Sequence, residues 1–107
     1  MMNQFPGQIS RPEQTDGNFV ALTFDDAPDS LFGPVLLDTL AAYNVPATFF
    51  CLGTCVQRNP GLVQRIVGEG HIVANHSYDH ADLTTLTPEQ VREEVLRAET
   101  LIQQITG

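Results

Sequence analysis

Phe19-Val20-Ala21-Leu22-Thr23-Phe24-Asp25-Asp26-Ala27-Pro28 is the stretch on which the fold class turns. Phe19 to Phe24 is almost wholly apolar, the pattern of a strand covered on both faces, as in parallel sheets. Pro28 and Gly33 mark a loop. Pro34 to Tyr43 then carries Val35, Leu36, Leu37, Leu40 and Ala41 as a helical stripe, with Pro34 near the first turn and Asn44 and Pro46 as its stop. Ala47 to Leu52 is a second apolar strand. Asn59-Pro60 opens a helix that buries Leu62, Val63, Ile66 and Val67 and ends at Gly68 and Gly70. His71 to Ala74 is a third, short strand. Thr87-Pro88-Glu89-Gln90 is a capping box, and Val91, Val95, Ala98, Ile102 and Ile105 keep one face of the following helix apolar. The order β-α-β-α-β-α predicts parallel pairing with right-handed crossovers. Residues 1–17, punctuated by Pro6, Gly7, Pro12 and Gly17, are expected to form a polar arm ahead of a single domain over 18–107.

The bulk composition narrows the partners. Five Lys+Arg against thirteen Asp+Glu give a net charge of −8 across 107 residues. Nucleic acid needs a basic face, so that balance argues against it, and it disfavours an anionic membrane surface. It suits a cation or a neutral substrate. No apolar run approaches the ~20 residues of a membrane span. The opening residues lack the basic start and apolar core of a signal peptide, which leaves a cytoplasmic protein or one whose leader has been removed. Cys51 and Cys55 are too few for a disulfide framework and read as small buried thiols on or near a strand.

Two clusters carry chemistry. Asp25 and Asp26 follow the first strand. His76 and His80, four apart in His76-Ser77-Tyr78-Asp79-His80, follow the third. In parallel β/α folds the loops after the strands gather on one rim, so both groups face the same edge of the sheet. Spacing of i and i+4 lets the two imidazoles share one ion, and Asp26 supplies a hard oxygen ligand. Two imidazoles and one carboxylate suit zinc first, and also cobalt, nickel, manganese or iron(II); three protein ligands leave an open position. Adjacent side chains diverge along an extended backbone, which places Asp25 as a base rather than a fourth ligand. Ser77 is expected to orient the histidine loop from behind the ligands. His71, outside both clusters, reads as structural, and Asp79 and Asp82 as loop-solvating or turn-capping residues.

These segments resemble the polysaccharide deacetylases, the NodB-homology or carbohydrate esterase family 4 group. The resemblance rests on Val20 to Pro28, on Asn44-Val45-Pro46-Ala47-Thr48-Phe49-Phe50, and on Gly70 to His80, and it runs from about Phe19 to the end of the chain. It implies an α/β fold in which parallel β/α units form the N-terminal part of a distorted (β/α) barrel of seven or eight strands. It further implies a metal-dependent hydrolase that removes acetyl groups from N- or O-acetylated carbohydrate by attack of metal-bound water. Asp25 would be the catalytic base, and Asp26, His76 and His80 the metal ligands.

The resemblance also sets limits. The family usually has glycine at Ala27, and alanine there would be strained if the site needs a positive φ. Proline is common at Ala81. The family's later motifs supply an arginine that orders the base, aromatic groove residues and a histidine acid, and none has a match in these 107 residues. Low or absent turnover by this chain alone is therefore expected. Three alternatives stand beside the hydrolase: a non-catalytic metal- or carbohydrate-binding relative, a half barrel with vestigial ligands, and a hydrolase of a non-sugar amide. An open sheet edge after the third strand would also favour a longer enzyme or a homo-oligomer that covers it.

Overall fold

A computed structural model describes residues 18–107. The polar arm expected over 1–17 lies outside the described residues. β1 (Thr23–Ala27), α1 (Gly33–Ala42), β2 (Thr48–Cys51), α2 (Gly53–Arg58), α3 (Pro60–Gly68), β3 (Ile72–Asn75) and α4 (Pro88–Thr106) follow in that order, with a 3₁₀ turn at Leu83–Thr85. The three strands form one parallel sheet in the order β1-β2-β3. This is the α/β fold expected, with parallel β/α units as the N-terminal part of a distorted barrel.

The core lies where the helices cover the sheet. Leu37 and Leu40 of α1, Phe49 and Cys51 of β2, Val56 of α2, Val63 and Ile66 of α3, and Ile102 of α4 are all buried in one cluster. Burying an aliphatic side chain of this size contributes roughly 1.5–3 kcal/mol each, which is what fixes the helices on the sheet. His71 is buried with them, only 8% exposed. Its Nδ1 accepts the Ala47 N–H at 3.1 Å, and its ring meets Phe49 edge-on at 5.5 Å. It joins the start of β2 to the start of β3, the structural role expected of it.

α4 begins as its sequence predicts. Thr87 Oγ1 accepts the Gln90 N–H at 3.2 Å, and Gln90 Oε1 accepts the Thr87 N–H at 2.9 Å, closing the capping box. The 3₁₀ turn before it is capped by Asp82, whose carboxylate accepts from the Thr84 N–H and hydroxyl at 3.1 and 2.6 Å. Those two bonds favour the charged form and hold the Asp82 carboxyl below its ordinary value.

Three expectations need correction. The first strand is Thr23–Ala27, not Phe19 to Phe24. Its ladder to β2 starts where the Thr48 N–H meets the Leu22 carbonyl at 3.0 Å, and β2 itself starts at Thr48, so Phe19 to Ala21 have no neighbouring strand to pair with. Phe19 and Val20 are exposed accordingly. Second, Asp25 and Asp26 lie inside β1 rather than after it. Third, Cys55 belongs to a helix, α2, that the sequence pattern did not predict.

Candidate metal centre

The end of β1 is irregular at the two aspartates. Phe24 pairs with Phe49 and Ala27 with Cys51, so Asp25 and Asp26 together stand opposite the single residue Phe50. One extra residue makes a β-bulge, a device that bends a strand and re-aims a side chain. Asp26 takes the left-handed conformation, with φ 59°. The positive φ therefore falls at Asp26 and not at Ala27, which sits in regular pairing, buried, without the strain that alanine would suffer in a left-handed position.

The bulge turns the Asp26 carboxylate towards the third strand. Its Oδ1 lies 3.1 Å from His76 Nε2 and 3.6 Å from His80 Nε2. The two imidazole rings are 5.3 Å apart, nearly edge to face. One ligand atom from each of Asp26, His76 and His80 lies within 4.8 Å of the others. Ligands held 2.0–2.2 Å from a tetrahedral zinc stand about 3.3–3.6 Å from one another, and the two Asp26–histidine separations lie close to that range. His76 is the anchored member, 30% exposed, with Phe50 packing edge-on to its ring. Asp26 and His80 are more open, 59% and 63% exposed, so the cluster faces solvent on that side.

The histidine pair is brought together by a tight loop. Ser77 and His80 both adopt left-handed backbone, with φ 69° and 62°. Such conformations cost on the order of 1–3 kcal/mol each for non-glycine residues and persist only where surrounding contacts impose them. Those contacts are on hand. The His76 N–H donates to the Cys51 carbonyl at 3.0 Å. The Gly53 and Thr54 N–H groups, at the start of α2, donate to the Ser77 and Tyr78 carbonyls at 3.0 and 2.8 Å. The unforeseen helix is thus what holds the predicted loop.

Ser77 acts on that loop through its main chain: its N–H donates to Asn75 Oδ1 at 2.9 Å while its carbonyl accepts from Gly53. Asn75 had no signal of its own in the sequence. Its Nδ2 reaches across to α4 and donates to the Val95 carbonyl at 2.8 Å. Tyr78 is held from two sides, its hydroxyl donating to Gln57 at 2.7 Å and the Arg97 guanidinium lying 3.7 Å above its ring.

Asp25 stands outside the three-residue cluster. It is exposed and lines, with Asp26, a cavity of about 240 Å³ bounded by Phe24, Leu36 and Leu62. The adjacent carboxylates are therefore divided, one in the cluster and one beside it.

The thiols divide as well. Cys51 is fully buried, and burial pushes its thiol up to about 12, with the neighbouring Cys55 adding to the rise. Cys55 is half-buried, its Sγ 3.7 Å from the Asp26 carbonyl. A thiol reagent at pH 8 is expected to label Cys55 and spare Cys51 in the folded chain, as read by peptide mass spectrometry; equal labelling would contradict this. The raised value makes Cys51 a pH-dependent contributor to stability. Its contribution to stability is complete below 9.0, the ordinary value, and is lost as pH climbs from there towards about 12.

Known proteins resemble this chain in sequence and in fold. A curated chitooligosaccharide deacetylase from Bradyrhizobium sp. is 49% identical over 84 residues, covering 78% of this chain and 38% of its own length. A peptidoglycan-N-acetylglucosamine deacetylase from Bacillus cereus is 42% identical over 88 residues, covering 82% of this chain and 32% of its own length. The chain thus spans about a third of the length of these curated relatives. Among solved structures, a family 4 acetyl xylan esterase from Clostridium thermocellum in complex with a cobalt ion superposes with a TM-score of 0.77 at 36% identity, over 81% of this chain and 43% of that one. The sequence profile described as polysaccharide deacetylase matches residues 13–107, and with these identities it makes this chain a member of the polysaccharide deacetylase family.

Proposed function

We propose that this chain carries the metal and base elements of a hydrolase that removes acetyl groups from N-acetylated or O-acetylated carbohydrate. The observation that carries the proposal is the convergence of Asp26, His76 and His80 on one point at the rim of the parallel sheet. Asp26, His76 and His80 would hold a divalent ion, zinc by preference of the donor set, with cobalt, nickel, manganese and iron(II) compatible. An ion bound there supplies Lewis acidity, acidifying water and polarising an acyl oxygen.

The protein's own groups supply the rest. The bulge and the left-handed turn at Asp26 aim one carboxylate into the cluster. Asp25, one residue earlier, stays outside it and exposed, where a carboxylate can take a proton from the attacking water. The exposure of Asp26 and His80 leaves the rim open to a polymer or oligomer too large for an enclosed pocket. N-acetylglucosamine-containing carbohydrate is the favoured substrate class, because the relatives' names specify peptidoglycan N-acetylglucosamine and chitooligosaccharide.

The test is acetate release from N-acetylchitooligosaccharides by the full chain loaded with Zn²⁺ or Co²⁺. Acetate above a blank of metal alone supports the hydrolase. Tight metal binding without acetate would replace it with a metal- or carbohydrate-binding role.

A further inference from the structure

Two main-chain donors of the histidine loop find their acceptor on α4. His76 donates its N–H to β2 and Ser77 to the Asn75 side chain. The next two, Tyr78 and Asp79, both donate to one atom, Glu94 Oε1, each at 3.3 Å. Glu94 is half-buried on the face of α4 that meets the loop. These two N–H groups lie between Ser77 and His80, the two left-handed residues of the loop. Consecutive N–H groups converging on one acceptor form a small anion-binding concavity, and here a side chain of the same protein fills it.

We infer that Glu94 is a positioning residue for the metal centre: its carboxylate gathers the Tyr78 and Asp79 N–H groups and holds the turn that sets His76 and His80 on Asp26. The inference rests on the metal-site reading above. The Ser77 and Tyr78 carbonyls are tied to α2 through Gly53 and Thr54, so without Glu94 the Tyr78 main chain keeps only its carbonyl-side bond. Asn75 assists by linking the loop's entry to the Val95 carbonyl and, at 3.4 Å, to Glu99. The loop has no glycine to make its left-handed positions easy. Its shape is therefore imposed from α2 and α4, and the imidazole positions follow that shape.

The experiment is Zn²⁺ titration of the full chain as wild type, Glu94→Ala, Glu94→Gln and His76→Ala, alongside apo thermal unfolding of each. Glu94→Ala is expected to weaken Zn²⁺ binding about 10- to 100-fold, the usual effect of losing a group that orients a ligand. Glu94→Gln keeps an oxygen acceptor and is expected to recover most of that loss. A purely structural role would lower the apo melting temperature and leave affinity untouched, so an affinity for Glu94→Ala equal to wild type overturns the inference. If Glu94→Ala does not fold, amide exchange decides: in wild type and Glu94→Gln, Tyr78 and Asp79 should be protected, and free exchange of both in wild type overturns it. Loss of Zn²⁺ binding in His76→Ala with none in Glu94→Ala would sink the positioning role alone. Undiminished binding in His76→Ala would sink the metal site and the inference with it.

Discussion

Asp25→Ala is expected to bring whatever metal-dependent acetate release this chain supports down to the blank, since a positioned base is worth about 10²- to 10⁴-fold, while Zn²⁺ affinity stays close to wild type. The expectation follows from the division of two neighbouring carboxylates by one bulge. Asp26 alone reaches His76 and His80, at 3.1 and 3.6 Å, and Asp25 is not part of that cluster. Asp26→Ala should therefore behave differently, losing metal affinity and activity together. Parallel titration and acetate assays of the two variants separate these roles. If Asp25→Ala lost metal as Asp26→Ala does, the division of labour would be wrong; if it kept full activity, another group would have to be the base.

How far the sequence disclosed this arrangement depends on how local each determinant is. The capping box at Thr87 is written in four consecutive residues, and it formed as read. The helices over Leu37 and Val63 are carried by apolar periodicity, and the parallel order by their alternation with strands. The parallel β/α order put Asp26, His76 and His80 on one rim, but their convergence also needed the bulge that turns Asp26 out of β1. α2 was hidden because six residues between an apolar strand and Asn59-Pro60 are too few for a periodic stripe. The start of β1 was misplaced because Phe19 to Leu22 look like a buried strand, whereas pairing is decided by where β2 begins. The bulge left no trace in composition: nothing in Asp25-Asp26 says which of the two turns left-handed. Asn75 and Glu94 work across 20 and 15–16 residues, on partners that only the fold brings near.

Gly53→Ala is the sharpest test of that hidden support. A Cβ at Gly53 would collide with Tyr78 Cδ1 and sit tightly, at 3.1 Å, against Tyr78 Cα. The ring has little freedom to yield, because its hydroxyl is bonded to Gln57 and Arg97 lies over its face. The Tyr78 main chain is held as well, by Thr54 at its carbonyl and Glu94 at its N–H. One methyl group must therefore push the loop itself, and His76 and His80 travel with it away from Asp26. Overpacking of this kind costs about 1–3 kcal/mol of stability. Displacement of ligand-bearing backbone is expected to cost about 10- to 100-fold in Zn²⁺ affinity, comparable to losing a group that orients a ligand. Calorimetric titration beside urea unfolding reads both effects. A variant that is destabilised yet binds Zn²⁺ as wild type would mean that the loop's seat on α2 and the geometry of the metal centre are independent, and that the strain at Ser77 and His80 is maintained from α4 alone.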